Sequence, residues 1–378
     1  MEKKLKVLMI SIDRGLLGNS PLGDVIERHK RYGEFCESLD IIVCAKKGFS
    51  ENQISEKVKA TPTNSSSKIK YVFDAIKIGK RLFGQKTYDL IVTQDPFLTG
   101  LAGYFLKKRF KAKLLVHFHG DFWRNPYWLK ENKFNRLFLS ISQFVVKKSD
   151  AIRVMSQGQK DKMVKAGISE NKIRVISTPI DINKFQNQEL RIKNPSSKEK
   201  IILHVGRDDD VKDYDTLTKA VRLVRKELPG VIFWQIGSKK KIMEAADKMN
   251  LKVDFHLRLE GWMDSNSIIE RYKFSDVVVL SSTSESFGKV LVEANACDKP
   301  VVSTTTTGAK EIIQDGYNGF LVPIGDAQAL AEKILYLLNN PEKAKEMGEN
   351  GRKLVKERFS DNTEKIINFW QEICANRI

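Results

Sequence analysis

The feature that most constrains the fold is a series of short apolar runs that alternate with helical stretches and occur in each half of the chain. Helical stretches such as Ala75–Phe83 and Phe134–Val146 carry apolar residues at a spacing of three to four. Short β-rich runs separated by helices predict a parallel sheet covered on both faces. In the first half, the runs predicted to be buried strands are Lys6–Ile12, Ile41–Ala45, Ile69–Phe73, Leu90–Gln94, Leu114–Phe118, Ala151–Met155 and Arg174–Ile176.

The pattern stops in the polar stretch 187–200, which contains Pro-Ser-Ser, and then starts again. Such a stretch is typical of a linker between domains. The strands predicted after it are Ile201–Val205, Val231–Ile236, Val253–Leu257, Val277–Leu280, Val301–Ser303 and Phe320–Val322. The helices predicted between them are Tyr214–Lys226, Lys240–Met249, Asn266–Phe274 and Val290–Ala296, with a helical tail from Asp326. We therefore expect two doubly wound α/β domains, each binding ligands at the carboxyl ends of its strands.

Length and composition exclude several classes of protein. A chain of 378 residues suits two domains, and 41% hydrophobic with 30% charged residues is typical of a globular protein. The first residues run from charge into a strand without a cleavage site, so we expect no signal peptide. The apolar stretch 90–106 is interrupted by Gln94, Asp95 and Pro96, which argues against a spanning helix. Four cysteines without a CxxC pair indicate reduced thiols in a cytoplasmic protein.

The net charge of +18 is concentrated in the first half of the chain. Residues 1–190 hold 35 lysines and arginines against 19 acidic residues, whereas residues 191–378 hold 30 against 28. No basic stripe with interleaved aromatic residues is present, so we expect no nucleic-acid partner. The asymmetry favours contact with an anionic membrane surface, and hence a peripheral location on the inner face of a membrane. Plain solvated charge is the competing interpretation.

Two glutamates lie eight positions apart in ESFGKVLVE, which follows the predicted strand Val277–Leu280. The turn is expected at Phe287–Gly288, and a helix is expected to begin near Lys289. The N–H groups and positive dipole end of that helix suit a phosphate. A carboxylate can accept hydrogen bonds from two neighbouring hydroxyls. Glu285 and Glu293 are therefore candidates for holding a sugar and a ribose, with solvated helix charges as the alternative.

Two cations five positions apart follow the first predicted strand of the second half. That strand is expected to end near Gly206, and Arg207 and Lys212 lie in the loop before the next helix. An arginine can bind a diphosphate with two hydrogen bonds, and a lysine binds it as a point charge. The alternative is that both cations pair with the neighbouring acidic residues Asp208–Asp210 and Asp213.

The first half contains two weaker candidates. His119 follows a buried strand in LLVHFHGDFW, where its side chain can line a cleft or be a satisfied core histidine. Gly15, Gly18 and Gly23 follow the first strand and allow a ligand to approach the backbone closely. Their spacing is not GxGxxG, so a nicotinamide-binding fingerprint is not supported, and an ordinary loop is the alternative.

These residues resemble glycosyltransferase family 4, whose members are retaining enzymes of the GT-B fold. ESFGKVLVE resembles the family's E-x7-E pattern, and Arg207 and Lys212 match its Arg and Lys five positions apart. DKPVVSTTTTGAKEIIQDGYNGFLV resembles the family's loop with paired glycines and a glutamate, and HFHGDF resembles its His-Gly element. The resemblance covers nearly the whole chain. It implies two Rossmann-like domains facing across a cleft.

The resemblance also implies roles for individual residues. Arg207 and Lys212 would hold the diphosphate of a nucleotide sugar, Glu285 the donor sugar and Glu293 the ribose. His119 would line the sugar pocket from the acceptor domain. Other residues would line the donor site through backbone or side chain; these are Gly206, Trp262, Met263, Ser286, Phe287, Gly288, Lys289 and Val290, with Gly15, Gly18 and Gly23 approaching the diphosphate or acceptor.

The sequence departs from the family pattern at three places. The paired glycines appear as Thr307-Gly308, the usual Asn-Gly before Ile-Asp is Thr178-Pro179, and an N-terminal glycine pair is replaced by Gly23-Asp24. The domains expected on this basis are an acceptor domain over 1–186, a linker over 187–200 and a donor domain over 201–358. The segment 359–378 would form a helix that crosses back to the first domain.

The expected reaction is transfer of a sugar from a UDP- or GDP-sugar to a glycan or lipid-linked acceptor, with retention and without a cofactor or metal. A covalent route needs a carboxylate about 5 Å from a partner carboxyl group, and the sequence shows no dedicated pair. Front-side attack assisted by the leaving phosphate fits better. A nucleotide-sugar epimerase or hydrolase of the same architecture is the alternative. A metal-dependent hydrolase is a weaker one, because Phe122 replaces the final His of an HxHxDH pattern formed by His117, His119 and Asp121.

Overall fold

The computed structural model describes residues 4–18, 24–187, 199–237, 239–249, 251, 257–359 and 362–376. The chain divides into two compact units. The first unit consists of Met1–Ser177 with Asn362–Ile378, and the second consists of Thr178–Asp361. Each unit is a wholly or mainly parallel sheet with helices on its faces, as the alternating pattern predicts.

Within the described part of the first unit, eight strands form one sheet in the order β3-β4-β2-β1-β5-β6-β7-β8. The β3–β4 pair is antiparallel, and the other pairs are parallel. The strands are β1 (Lys6–Ser11), β2 (Ser38–Val43), β3 (Asn52–Ser55), β4 (Val58–Pro62), β5 (Leu90–Thr93), β6 (Lys113–Phe118), β7 (Ala151–Val154) and β8 (Ile173–Val175). The helices are α1 (Val25–Phe35), α2 (Tyr71–Gln85), α3 (Leu98–Phe110), α4 (Pro126–Glu131), α5 (Asn135–Lys148), α6 (Gln157–Lys165) and, near the C-terminus, α15 (Thr363–Cys374).

The described strands of the second unit form a six-stranded parallel sheet in the order β11-β10-β9-β12-β13-β14. Its strands are β9 (Ile201–Gly206), β10 (Ile232–Gly237), β11 (Leu257–Glu260), β12 (Val277–Leu280), β13 (Val301–Thr304) and β14 (Gly319–Val322). Its helices are α7 (Ile182–Asn187), α8 (Tyr214–Glu227), α9 (Lys240–Lys248), α10 (Ser265–Phe274), α11 (Lys289–Ala296), α12 (Thr307–Ile312), α13 (Ala327–Asn339) and α14 (Pro341–Phe359).

Each face of the first sheet is covered by its own set of helices. Buried residues of α2, α3, α5 and α6 pack on one face. On the other face, α1 and α15 pack together, with the rings of Tyr32 and Trp370 5.6 Å apart. Because the buried side of α15 includes Ile366, Phe369 and Trp370, the C-terminal helix belongs to the first unit. Burial of side chains of this size contributes about 1.5–3 kcal/mol each.

Helix starts in the second unit are set by side chains that accept backbone hydrogen bonds. Asp213 accepts from the Thr216 amide at 3.1 Å, Asp264 from the Asn266 amide at 2.8 Å, and Asp326 from the Ala329 amide at 2.9 Å. Such caps satisfy N–H groups that have no partner within the helix and stabilise it by about 1 kcal/mol each. The first cap places α8 directly after the loop that contains Arg207 and Lys212.

The predicted strand Ile69–Phe73 is wrong, because helix α2 begins at Tyr71. Ile69 and Phe73 are exposed, whereas Val72, Ala75 and Gly79 are buried at helical spacing. The run of apolar residues therefore crosses a helix start instead of forming a strand.

Strands β3 and β4 were not predicted, because the edge strand β3 is polar and β4 contains Lys59 and Pro62. In the second unit, the described strand β11 covers Leu257–Glu260, whereas the prediction was Val253–Leu257. Residues 252–256 of that prediction lie outside the described residues.

The first unit ends at Ser177 rather than at the predicted residue 186. The reason is that α7 packs against α11 and α14 of the second unit. Of the predicted linker 187–200, residues 188–198 lie outside the described residues. The chain leaves the first unit after Ser177 and returns at Asn362, whose side-chain amide donates to the Ser177 hydroxyl at 2.7 Å.

Candidate functional site

The second sheet has its topological switch point between β9 and β12. The chain runs outward from β9 through β10 to β11, and then returns to pair β12 with β9 before continuing to β13 and β14. Crevices at the carboxyl ends of such a strand pair are the usual ligand sites of open α/β sheets. The loops after these two strands carry Gly206–Lys212 and Ser281–Gly288, which are the predicted motifs.

The loop after β9 is held by a buried polar group beneath it. The imidazole Nδ1 of His204 is 2.7 Å from Oε1 of Gln235, whose amide donates to the Gly206 carbonyl at 3.3 Å. The Tyr214 hydroxyl donates to the Arg207 carbonyl at 2.9 Å. Burial lowers the pKa of His204 to about 3, so this imidazole is neutral at physiological pH. The loop backbone is therefore fixed by neutral hydrogen bonds.

Arg207 extends into solvent at this end of the sheet. Its side chain is 69% exposed, and its Nε donates to Asp209 at 3.0 Å. An exposed ion pair of this kind contributes less than about 1 kcal/mol, so an anionic ligand can replace it at small cost. The alternative that Arg207 pairs with the neighbouring acidic residues is correct for Asp209.

The other aspartates of the run have structural contacts. Asp208 accepts the Lys241 amide at 3.1 Å, Asp210 forms an ion pair with the Lys241 ammonium, and Asp213 caps α8. Lys212 does not join them. It forms an ion pair with Glu285, 73 positions further along the chain.

The Lys212–Glu285 pair is the centre of the cluster. The two side chains are 12% and 16% exposed, so the pair is shielded but still reachable from solvent. The Ser282 hydroxyl donates to the same carboxylate oxygen of Glu285 at 3.0 Å. A partly buried charge pair is screened less by salt than a surface pair. The pair therefore places a cation beside a carboxylate that can accept hydrogen bonds from hydroxyl groups.

The loops after β9 and β12 are joined by hydrogen bonds to the backbone carbonyls of the first loop. The Ser281 hydroxyl donates to the Lys212 carbonyl at 2.6 Å, and the Thr283 amide donates to the Val211 carbonyl at 2.8 Å. These bonds fix the relative position of the two motifs. The cluster is thus positioned by the backbone as well as by the ion pair.

The N-terminus of α11 lies in the second loop, directly after Phe287 and Gly288. Gly288 caps the helix with φ of 81°, which favours glycine, and no side chain caps it. Ser286, Lys289 and Val290 belong to this turn, and first-turn amides have no partner within their helix. The turn therefore offers N–H groups that suit a phosphate oxygen.

Thr307 and Gly308, where the sequence departs from the family pattern, form hydrogen bonds to the loop after β12. The Gly308 amide and the Thr307 hydroxyl both donate to the Glu285 carbonyl, at 2.8 Å and 2.9 Å. A Cβ on residue 308 would lie 2.5 Å from the Phe287 nitrogen. Glycine is therefore required at 308, whereas at 307 a threonine hydroxyl supplies a bond.

Glu293 has a different environment from Glu285. Its carboxylate is nearly buried, accepts the Tyr272 hydroxyl at 2.8 Å and lies 3.3 Å from the Lys289 ammonium. Burial, followed by the charge of Glu293, raises the pKa of Tyr272 well above its ordinary value. The structure places Glu293 on the helix that Gly288 begins, below the turn rather than beside Lys212.

Trp262 and Met263 lie in the loop after β11, and the indole of Trp262 is exposed. This loop is two strands away from β9 in the sheet, beyond β10. The structure thus places these two residues at the same carboxyl end of the sheet as the cluster, with strand β10 between them.

The first unit has its switch point between β1 and β5. His119, after β6, is exposed and hydrogen-bonded with Gln94 at 2.5 Å, and Gln94 follows β5. Gly15 and Gly18 lie in a short helical turn that Asp13 caps, and Gly18 has φ of 79°. Gly23 lies outside the described residues. His119 therefore lies one strand away from the switch point, in contact with the residue that follows β5.

The pattern His117, His119 and Asp121 does not converge on a metal. His117 is buried with Nδ1 3.4 Å from the Arg153 guanidinium, and Asp121 binds the Lys162 ammonium at 2.7 Å. In the described part of the chain, no group of three His, Cys, Asp or Glu side chains is placed to hold a metal ion.

Sequence reasoning missed three contributors to the cluster, namely Tyr272, Ser282 and Thr307. The hydroxyls of Ser282 and Thr307 hold the side chain and the backbone of Glu285, and Tyr272 holds Glu293. Ser282 lies in the loop next to the E-x7-E pattern, which was a usable signal. No local pattern points to Tyr272, which contacts Glu293 through the fold.

Two Rossmann-like units are the architecture of the GT-B class of glycosyltransferases. A sucrose-phosphate synthase of Thermosynechococcus elongatus superposes with a TM-score of 0.84 over 98% of this chain and 100% of that one, at 20% identity. The Anabaena protein HepE, solved in complex with UDP-glucose, gives a TM-score of 0.75 over 99% of both chains, at 19% identity. At these identities the likeness shows the fold.

Sequence comparison shows the family. Residues 38–184 match the model described as Glycosyltransferase Family 4, and residues 186–354 match the model described as Glycosyl transferases group 1. An uncharacterised glycosyltransferase of Methanocaldococcus jannaschii is 32% identical over 303 residues, which are 77% of this chain and 77% of that protein. The chain belongs to glycosyltransferase family 4 and is a transferase.

Proposed function

We propose that this glycosyltransferase transfers a sugar from a nucleoside diphosphate sugar to a glycan or lipid-linked acceptor, with retention at the anomeric carbon and without a metal. The observation that carries the proposal is the cluster at the β9–β12 switch point. There the Lys212–Glu285 pair and the exposed Arg207 lie on two loops that hydrogen bonds join.

The two cations have the chemistry for a diphosphate leaving group. Arg207 exchanges its exposed pair with Asp209 for two hydrogen bonds to phosphate oxygens, and Lys212 supplies a point charge. Amides in the first turn of α11 add further donors. As the bond to the sugar breaks, negative charge grows on the diphosphate, and these fixed groups stabilise it.

The carboxylate of Glu285 is suited to the sugar. It accepts hydrogen bonds from hydroxyls while Lys212 and Ser282 hold it in place. Glu293 is proposed to contact the ribose, which requires exchange of part of its contacts with Tyr272 and Lys289. Trp262 and Met263, one strand further along the edge, are proposed to lie against the base. Fixed orientation of the donor then contributes to rate by proximity.

The contacts of the two glutamates favour front-side attack over double displacement as the route to retention. A double-displacement route needs a nucleophilic carboxylate about 5 Å from an acid partner. Glu285 is paired with Lys212, and Glu293 is nearly buried beneath Tyr272. Front-side attack avoids this requirement, since the acceptor hydroxyl passes its proton to the departing phosphate as the new bond forms.

The donor and acceptor proposals rest on different supports. HepE was solved with UDP-glucose, which supports a nucleotide-sugar donor for this chain, with UDP or GDP as the nucleotide. The excess of 35 basic over 19 acidic residues in the first 190 positions supports an acceptor presented at an anionic membrane surface. Within the described residues, no helix has the length and apolar character needed to cross a membrane.

A thermal-shift screen of UDP- and GDP-sugars tests the donor proposal. A ligand at 100 times its dissociation constant stabilises the folded state by about 2.7 kcal/mol. One nucleotide series is expected to raise the melting temperature, and the Arg207→Ala variant is expected to lose this shift. No stabilisation by any nucleotide sugar would contradict the proposal.

Product analysis with the cognate donor tests the reaction. NMR of the glycoside is expected to show the anomeric configuration of the donor, and chelators are expected to leave the rate unchanged. Inversion would overturn the retaining mechanism. Conversion of the donor in the absence of acceptor would favour the epimerase or hydrolase alternative.

A further inference from the structure

An exposed apolar stripe runs along α5 in the first unit. Phe134, Leu137, Ile141 and Phe144 recur at spacings of three and four, which places them on one side of the helix. Phe134, Leu137 and Phe144 are 54%, 58% and 41% exposed. The buried side of α5, which carries Ser142, Val145 and Val146, borders the stripe, so the exposed rings lie next to the core-facing side. Large apolar side chains exposed together indicate an interaction surface.

The stripe continues onto α3. The ring of Tyr104 lies 4.9 Å from that of Phe144 and 5.3 Å from that of Phe105, which is also exposed. Helices α3 and α5 pack against each other on the same face of the sheet. The α3–α5 stripe therefore consists of Tyr104, Phe105, Phe134, Leu137, Ile141 and Phe144.

Positive charge lies at both ends of the stripe. Arg136 is in the first turn of α5, and Lys147 and Lys148 are in its last turn. Helix α3 ends with Lys107–Arg109. Neither helix contains an acidic residue, and Asp150, which follows α5, is paired with Lys107 at 2.7 Å. The surface around the stripe is thus basic.

We infer that the α3–α5 stripe is the surface by which the first unit docks on an anionic lipid bilayer. Aromatic and aliphatic side chains enter the headgroup region, while the lysine and arginine heads bind lipid phosphates. Lys133 already has this geometry, with its ammonium 5.4 Å from the ring centroid of Phe134. The inference deepens the membrane part of the proposed function by naming the partner and the residues.

Charge favours a bilayer over a second copy of the chain as the occupant. A symmetric dimer through this surface would bring Arg136, Lys147 and Lys148 of each copy close to the same residues of the other. Like charges placed together at an interface destabilise it. Anionic headgroups neutralise the same residues instead, at about 1 kcal/mol for each cation near the surface, which is about a fivefold gain in binding.

Vesicle sedimentation tests the inference with the full chain. We expect binding to phosphatidylcholine vesicles that contain about one third phosphatidylglycerol, and weak binding to pure phosphatidylcholine. The Leu137→Ser/Phe144→Ser variant is expected to bind the anionic vesicles at least about tenfold more weakly. The Lys147→Gln/Lys148→Gln variant is expected to lose most of the preference for anionic vesicles. Tyr336→Ser, at a similarly exposed ring of the second unit, is the matched control and is expected to bind normally.

Three results would overturn the inference. They are equal binding of the wild-type chain to neutral and anionic vesicles, undiminished binding of the Leu137→Ser/Phe144→Ser variant, and a wild-type dimer that this variant converts to a monomer. The last result would assign the surface to a second copy. Donor-induced thermal stabilisation, measured on the same samples, reports the donor site separately. Its persistence without vesicle binding would mean that the docking surface fails while the donor proposal stands.

Discussion

Each unit places a shielded cation near the carboxyl ends of its strands, and the two cations are held in opposite ways. In the first unit, Arg153 is buried and donates to the carbonyls of Ile176 and Ser177, both at 2.8 Å. In the second unit, Lys212 forms an ion pair with the Glu285 side chain and stays reachable from solvent. A guanidinium committed to backbone carbonyls has few donors left for a ligand.

We propose that this difference separates a structural polar cluster from a binding one. Arg153 ties down the residues at which the chain leaves the first unit, and Ser177 also holds Asn362, where the chain returns. Lys212 and Glu285 are joined to each other across two loops and can exchange partners when a charged ligand arrives. The comparison predicts stability effects from the first cluster and binding and rate effects from the second.

Acidification is expected to have the largest effect and to act first on the first unit. In the first unit, burial lowers the pKa of His29 from 6.5 to about 3 and lowers that of His117 well below its ordinary value. In the second unit, burial lowers the pKa of His204 to about 3. The unfolded chain binds these protons below about pH 6.5 and the folded chain does not, so stability is full above that pH and falls as the pH drops towards 3. At pH 5, His29 and His204 each cost about 2 kcal/mol.

Hydrogen exchange read by mass spectrometry at pH 7 and pH 5 measures this difference, after correction for intrinsic rates. The second unit is expected to lose about 2 kcal/mol of protection, and the first unit is expected to lose more because the lowered pKa of His117 adds to that of His29. His29→Gln is expected to reduce the loss in the first unit and to leave the second unchanged. Equal losses in both units would contradict the assignment.

Removal of the buried guanidinium is expected to destabilise the first unit. Arg153→Met leaves the carbonyls of Ile176 and Ser177 buried without their donors, which costs about 3 kcal/mol. Urea denaturation measures the change. The exposed Arg174→Met variant, on the neighbouring strand β8, is the control and is expected to change stability by less than about 1 kcal/mol. A similar small change in both variants would mean that Arg153 is not a structural residue.

Removal of the second unit's cations is expected to slow transfer without unfolding the protein. Arg207→Ala and Lys212→Ala each remove positive charge that stabilises the leaving diphosphate, and each is expected to lower kcat by about 10²-fold, or about 2.7 kcal/mol. Steady-state kinetics with the cognate donor measures this. Lys219→Ala, an exposed lysine on α8, is the control and should retain full activity. Near-normal turnover in both site variants would overturn the mechanism.

The smallest effect is expected at the buried glutamate. Tyr272→Phe removes a hydrogen bond to the Glu293 carboxylate and is expected to cost about 1.5 kcal/mol of stability. Thermal unfolding measures it, with the exposed Tyr336→Phe as the control, which should change stability by less than about 0.5 kcal/mol. If Tyr272→Phe were neutral, the description of Glu293 as a carboxylate held from within the unit would be wrong.

The strands of the second unit were largely predictable from sequence. Val277–Leu280 has the predicted bounds because a continuous apolar run can be buried on both faces of a parallel sheet. The loop after β9 was predictable because its cations follow such a strand directly. The apolar run Ile69–Phe73 misled because its members face both the core and solvent at a helix start.

The Lys212–Glu285 pair could not be derived from local pattern. The residues are 73 positions apart, and nearer aspartates offered Lys212 an equally plausible partner. What decides the pairing is that β9 and β12 are neighbours in the sheet, which places the two loops together. Likewise, the boundary at Ser177 depends on α7 packing against α11 and α14, which no composition change marks.

Calorimetric titration of the cognate nucleoside diphosphate tests the central claim most directly, because it measures the affinity for the diphosphate without needing the acceptor. Lys212→Met is expected to weaken binding by at least about tenfold, since it removes one charge-assisted contact to phosphate. Lys219→Met is expected to bind as the wild type does. Equal affinity of the Lys212→Met variant and the wild-type chain would contradict the placement of the diphosphate at the β9–β12 switch point.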